Sequence, residues 1–500
     1  MSADSPAWVR DAIFCQIFPD RFAPSGRVVK PGPLEAWDTP PTIHGFKGGD
    51  LLGIVEHLDY LADLGINALY LTPVFASASN HRYHTYDYLT VDPLLGGNDA
   101  LRELLDAAHD REMRVILDGV FNHTGRGFWP FHHVLETGAS SPYRRWFHLD
   151  DAALDAGRHL QAYPLEGHRA GALGYEAWWG MPALPKLNTD EPAVREYLFH
   201  VAEHWLRFGI DGWRLDVPTE IDDEAFWQEF RSRCRAVRPD AYLVGEIWHL
   251  APDWLLGDRF DALMNDPLAE AILGYAGGAE LDAAVIHAHH EYSGSVVPRD
   301  GAAFTAKLVE LLSAYDPSTL AVQLNLLGSH DAPRLRTVVG GNPARVRIAT
   351  LLQATLPGAP CLYYGDEVGL TGGSDPACRG AFPWDRTRWE PGLRESIRAL
   401  FRLRTAEPAL RDGPVRMVGT AGSAMAYERG SGVARFVIVA NPGTATEHLA
   451  LRFADAPSGH GGHLAPIALS GLGGVGESAI VDGVAVLDVA PLAASVLRVV

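Results

Sequence analysis

Cysteine is scarce. Four thiols among 500 residues (Cys15, Cys234, Cys361 and Cys378) cannot make a disulfide framework, and without CxxC spacing they offer no zinc site. Long apolar runs are missing too. No window approaches the roughly 20 uninterrupted apolar residues that a membrane-spanning helix needs. The opening MSADSPAWVRDAIFCQIF carries charge and proline where a secretory signal would be apolar, so a soluble, cytoplasmic protein is expected. Cations are in deficit: Lys plus Arg number 42 against 62 Asp plus Glu, a net charge of −20. Such a surface argues against a nucleic acid or an anionic membrane as partner and leaves a neutral or cationic substrate open. What remains is ordinary globular material, 47% hydrophobic and 21% charged, which excludes a disordered or coiled-coil chain. Thirteen Trp, 16 Tyr and 19 Phe supply a core or stacking platforms.

At roughly 150 residues per domain, with barrels running to roughly 250, the length predicts two or three units. From about residue 12 to about 400, short apolar runs alternate with helical patterns. The runs are AIFCQIF, INALYLTPV, RVILDGV, GIDGWRLDV, AYLVGE, FDALMN, VQLNLLG and APCLYYG. Being nearly continuously apolar, they suit parallel strands buried on both faces. Eight of them predict an α/β fold, a (β/α)8 barrel over residues 1–121 and 190–411. Helices are expected around Leu51–Leu64, Ala100–Arg111 and Ala193–Phe208. The long aromatic-rich stretch after the third run predicts an inserted subdomain over 122–189 that walls the site. From 412 to 500, alternating runs separated by Gly, Ser and Asn predict a C-terminal antiparallel β-sandwich, with a Gly-rich Ser458–Ser478 region inside it.

The strand ends converge on acids. The third run ends DGVFNH with Asp118, Asn122 and His123; the fourth ends GWRLDV with Arg214 and Asp216. The fifth ends VGEIWH with Glu246 and Trp248, and the seventh LLGSHD with His330 and Asp331. In a barrel these ends share one face. Carboxylates gathered in one cleft are costly unless their charges are used. Glycoside hydrolysis uses them: one attacks the anomeric carbon, a second with a raised pKa protonates the leaving oxygen, and a third balances the oxocarbenium charge. An arginine beside the nucleophile keeps it ionised, and histidines can bond sugar hydroxyls.

These four strand ends resemble the signature regions of the α-amylase superfamily of retaining α-glucan hydrolases. MPALPKLN at Met181–Asn188 is similar, with three residues inserted, to the MPKLN signature of its neopullulanase, cyclomaltodextrinase and maltogenic amylase subfamily. IFPDRF, GGDLLGI and YYGDEVGLTGGSDPACR look like the same group. The resemblance implies Asp216 as nucleophile, Glu246 as general acid/base and Asp331 as transition-state stabiliser, with Arg214 orienting Asp216. It implies that His123 and His330 bind hydroxyls of the sugar whose bond is cut, that Tyr83 stacks beneath that sugar, and that His84 lies beside it. Asp375 and Arg379 would grip the next sugar on the non-reducing side, while Trp248 and His249 line the leaving-group side. Asp118 is expected to support the site by hydrogen bonding.

The same resemblance sets expectations by its departures. The first strand begins near Ala12, where the subfamily carries an N-terminal dimerisation domain, so a monomer is expected. No cofactor is required. Calcium stays open, but the subfamily's calcium loop reads FAPSGRVVKPG here, without the hard oxygen ligands calcium takes. His84 stands where many relatives have Asp. The expected reaction is hydrolysis of α-1,4 bonds in a neutral α-glucan such as maltooligosaccharide, cyclodextrin, pullulan or starch. A transglycosylase or isomerase, suggested by the aromatics Trp178, Trp179 and Trp248, and a non-catalytic glucan-binding barrel are the alternatives.

Three patterns are expected to be decoys. GLGGVG at Gly471–Gly476 has no following helix to make it a dinucleotide site. HAHHE at His287–Glu291 lacks zinc spacing and is expected to be a solvated loop. NHT at Asn122–Thr124 lies in the predicted site and not on a glycosylated surface.

Overall fold

The computed structural model describes residues 5–164, 173–454 and 462–500. Eight parallel strands form the barrel: β1 (Phe14–Ile17), β2 (Ala68–Leu71), β3 (Arg114–Gly119), β4 (Gly212–Leu215), β5 (Tyr242–Gly245), β6 (Ala262–Leu263), β7 (Leu324–Leu326) and β8 (Ala359–Tyr363). Their order is β6-β5-β4-β3-β2-β1-β8-β7, and a parallel bridge between Met264 and Leu324 joins the two ends. One face of the strands fills the interior with Phe14, Tyr70, Ile116, Tyr242, Met264 and Leu324. The other packs on the helix layer through Leu69, Leu117, Trp213 and Leu243. Burial on both faces is why the runs read as continuously apolar.

The outer helices include α1 (Gly97–His109), α2 (Pro192–Phe208), α3 (Glu224–Val237), α4 (Asp266–Gly277), α5 (Gly301–Ser313), α6 (Pro343–Thr355) and α7 (Leu393–Ala406). The single helix expected over Leu51–Leu64 is two, Leu51–Glu56 and Leu58–Leu64. The break falls at His57, whose φ of −117° leaves the helical region and whose Nδ1 lies 2.8 Å from the Gly53 carbonyl. The second piece ends at Gly65, with φ of +98°, where a Cβ would meet Phe401 of α7 at 3.1 Å.

Between β3 and α2, isolated antiparallel bridges pair His123 with Lys186, Phe147 with Leu187, Leu149 with Tyr175 and Ala177 with Pro185. The MPALPKLN segment thus returns to the end of β3: Leu187 N–H donates to the Asn122 carbonyl and Thr124 N–H to that of Pro185. Residues 165–172 of the predicted subdomain lie outside the described residues.

The C-terminal region has two layers. Strands β9 (Val415–Ala421), β10 (Ala424–Ser431), β11 (Ala434–Asn441), β13 (Gly462–Pro466), β14 (Ser478–Ile480) and β16 (Ala493–Val499) form one sheet, ordered β9-β10-β11-β16-β13-β14. Strands β12 (Glu447–Arg452) and β15 (Val484–Val489) form the second. Val437, Val439, Leu449, Leu451, Leu487 and Leu497 fill the space between them. Strand β13 lies within the Gly-rich Ser458–Ser478 region; its only large apolar core residue is Leu464, too little pattern to announce a strand. Part of that tract, 455–461, is outside the described residues. Among the described residues no helix is long and apolar enough to cross a membrane.

Candidate active site

Strand ends β3, β4 and β5 deliver Asp118, Arg214 with Asp216, and Glu246 to one buried knot. A strand presents every second side chain to the same face, which sets Arg214 and Asp216 side by side. Arg214 Nη1 stands 2.8 Å from Asp118 Oδ1 and 2.9 Å from Asp216 Oδ1, and Nη2 stands 2.8 Å from Glu246 Oε2. Asp118 Oδ2 accepts from the hydroxyls of Tyr70, at 2.7 Å, and Tyr83, at 2.8 Å. Three donors, Tyr70, Tyr83 and Arg214, thus converge on Asp118.

Three carboxyls face one guanidinium, so the fully ionised knot would carry −2, and a proton held in it lowers that to −1. Burial pushes the carboxyls of Asp216 and Glu246 up. Arg214 opposes that, and neighbouring carboxylates add to it, Glu246 for Asp216 and Asp331 for Glu246. On Glu246 the two oxygens differ. Oε2 forms an ion pair with Arg214 and accepts from the Val217 backbone N–H at 3.1 Å, whereas Oε1 meets only the longer Trp248 Nε1 contact at 3.3 Å. When Glu246 holds the proton, Oε1, the oxygen with the weaker donor, carries it.

Asp331, from the turn after β7, is the most open of the three acids, with its side chain 36% exposed. Its Oδ2 lies 3.0 Å from His330 Nε2 and its Oδ1 3.2 Å from Arg379 Nη2. Enclosure in the cleft works to raise its pKa, but His330 and then Arg379 outweigh it and hold the carboxyl below its ordinary range. His330 Nδ1 pairs with Gln16 Nε2 at 2.8 Å, and its Nε2 also meets the Tyr83 hydroxyl. The Tyr83 and His330 rings stack 5.3 Å apart at 5°.

The other expected residues divide. His123 is buried, and its ring stacks on Trp178 at 5.1 Å, with Trp179 a further 4.8 Å beyond. Burial lowers His123 to about 3 and His84 to about 4, so both are neutral at pH 7. His84 packs edge-on against His81. Arg379 is buried and joins Asp331 and the His330 carbonyl to Asp375, 3.0 Å away. His249 is exposed and stands apart from this network, unlike its neighbour Trp248.

Four participants were not anticipated. Gln16 is a polar residue inside an apolar strand, a signal that was there to be read. Tyr70 and Val217 carried none. His289 sits in the HAHHE segment expected to be a solvated loop; the structure corrects this, since His289 is buried with its Nε2 2.9 Å from the Asp331 carbonyl. Asn122 is buried, which rules out a surface sequon. In the loop that might take calcium, the Lys30 ammonium stands 3.2 Å from Asp50. Among the described residues no His, Cys, Asp and Glu cluster is arranged to hold a metal.

Residues 16–401 match the alpha amylase catalytic domain model. The chain belongs to the alpha-amylase family. It is 44% identical over 413 residues to a cyclomaltodextrinase of Geobacillus thermopakistaniensis, covering 82% of this chain and 65% of that one. The chain thus spans somewhat less than two thirds of that relative's length. Among solved structures, Ttha1563 of Thermus thermophilus superposes with a TM-score of 0.87 at 46% identity, covering 98% of this chain and 100% of the other. The debranching enzyme of Nostoc punctiforme gives 0.87 at 42% identity with both chains fully covered. Alpha-amylase family membership accounts for the barrel, the C-terminal sheets and the order of the strand-end acids.

Proposed function

We propose that this alpha-amylase family protein hydrolyses α-1,4-glucosidic bonds of maltooligosaccharides, cyclodextrins, pullulan or starch with retention of configuration. The observation that carries the reading is the single Arg214 guanidinium within 2.9 Å of Asp118, Asp216 and Glu246. Retention needs nucleophile and acid about 5–5.5 Å apart, and two carboxyls sharing one guanidinium suit that spacing better than the roughly 6.5–9.5 Å of inverting enzymes.

In this reading, a carboxylate oxygen of Asp216 bonds to the anomeric carbon as the glucosidic C–O bond breaks. Glu246 gives its Oε1 proton to the leaving oxygen. Water then attacks the glycosyl ester from the vacated side, giving its proton back to Glu246. Asp331, held ionised by His330 and Arg379, faces the positive charge that grows on the ring. Neutral His123 and the His330 ring bond the hydroxyls of that sugar, with Tyr83 beneath its ring and His84 beside it. Asp375 and Arg379 take the next sugar. Trp248 borders the leaving group, and His249, further out, reaches only a longer product. The chemistry uses no cofactor.

That the acids, Arg214 and both histidines occur together weighs against a binding-only barrel, and similarity to a cyclomaltodextrinase and a debranching enzyme favours hydrolysis over transfer. Parallel incubation with maltotriose, cyclodextrin, pullulan and starch, read by chromatography, tests the reading. Shorter sugars from at least one substrate are expected, and no turnover of any would reject it.

A further inference from the structure

The HAHHE segment has no part in the reaction scheme, yet its second histidine reaches the centre of the site. His289 is 8% exposed and follows a short helix, Ala283–Ala288. Its two ring nitrogens have different partners. Nδ1 lies 3.2 Å from the backbone nitrogen of Tyr292, which can only donate, so Nδ1 accepts. In the neutral ring the hydrogen is then on Nε2, and Nε2 donates to the Asp331 carbonyl at 2.9 Å. The ring also sits 4.6 Å from Tyr292 and 6.1 Å from Trp248, the residue whose indole N–H points to Glu246 Oε1.

Asp331 has few other anchors on its main chain. Its own N–H reaches Ser329 Oγ at 3.2 Å, and its carboxylate is tied to His330 and Arg379. The carbonyl bond from His289 fixes the peptide plane from which the Asp331 side chain departs, across 42 residues of sequence. We propose that His289 is a positioning residue: by donating Nε2–H to the Asp331 carbonyl, it sets the direction of the carboxylate toward the sugar while buttressing Trp248 beside Glu246. This rests on the role assigned to Asp331 above. The stabilising carboxylate acts on charge that exists mainly in the transition state, so a misdirected Asp331 lowers kcat more than it raises KM.

The test compares His289→Gln, His289→Asn and His289→Leu in the full-length protein, with Asp331→Asn as control, on one maltooligosaccharide. Glutamine places an amide N–H near the position of Nε2; asparagine is too short and leucine has no donor. Leucine and asparagine variants are expected to lose about tenfold in kcat, the effect of one hydrogen bond, with KM within about twofold of the parent. The glutamine variant is expected to recover to within about threefold of the parent. Thermal melts establish that each variant is folded; where leucine does not fold, the asparagine and glutamine pair decides. A merely structural residue would lower melting temperature without splitting kcat from KM and without rescue by glutamine. The proposal is overturned if asparagine matches the parent, if glutamine is as impaired as asparagine, or if the loss lies in KM. Full activity in Asp331→Asn would instead overturn the assigned role of Asp331.

Discussion

The backbone N–H of Val217 donates to Glu246 Oε2 at 3.1 Å. Val217 directly follows Asp216, so one peptide connects the two carboxyls of the site. It does so from a left-handed conformation, φ +37° and ψ +52°, which a β-branched residue adopts only under constraint.

Replacing Val217 with glycine should relieve that strain while keeping the N–H. Val217→Gly is expected to be no less stable than the parent and up to about 1 kcal/mol more stable, with kcat within about threefold. Thermal melts and initial rates check this. A large loss of activity with no change in stability would mean that the valine side chain, and not its backbone, serves the site.

Arg214 uses two separate nitrogens to span its carboxyls. A lysine supplies a single ammonium and cannot reproduce that span, so Arg214→Lys is expected to lose about 10²–10³-fold in kcat despite the retained charge. Single-turnover rates on an α-glucan with a good leaving group separate this loss from weaker binding.

Tyr83 has two separable features: a ring for the sugar and a hydroxyl between Asp118 and His330. Tyr83→Phe keeps the ring and should lower kcat about tenfold with little change in KM. Tyr83→Ala removes both and should raise KM as well. Steady-state kinetics of the pair decide the matter.

Glu367 lies outside the reaction, buried beside Tyr60, which donates to its Oε1 at 2.9 Å. Burial raises its pKa from 4.5 to about 7. The unfolded chain releases this proton near the ordinary value, while the folded protein holds it until about pH 7. Stability therefore falls as pH rises between those values, by up to about 3 kcal/mol, and the penalty is constant above them. In Glu367→Gln, melting temperatures between pH 5 and pH 8 should fall less than in the parent. An unchanged pH slope would show that other groups set it.

Most of the barrel could be read from the chain because burial on both faces writes itself into the strands as unbroken apolar runs. Asp216, Glu246 and Asp331 were legible because barrel topology sends every strand end to one face. What stayed hidden depends on contacts between distant segments. Nothing near His289 announces a bond to a carbonyl 42 residues away, and a histidine-rich stretch is hydrophilic enough to pass for a loop. Val217 looks like one more strand residue until its φ is known. The break at His57 comes from a side chain bonding the carbonyl one turn back, which periodicity does not register. Strand β13 owes its existence to pairing with β14 and β16, not to its own composition.

The proposed reaction requires Asp216 to form a covalent bond to the sugar while Glu246 handles the proton. An α-maltosyl fluoride separates the two, because fluoride leaves without a proton while the later attack by water still needs the base. Glu246→Gln incubated with this fluoride and digested for mass spectrometry should yield a peptide carrying one maltosyl unit on Asp216, and Asp216→Asn should yield none. An adduct on another residue, or hydrolysis of the fluoride by Asp216→Asn at the parent's rate, would contradict the account.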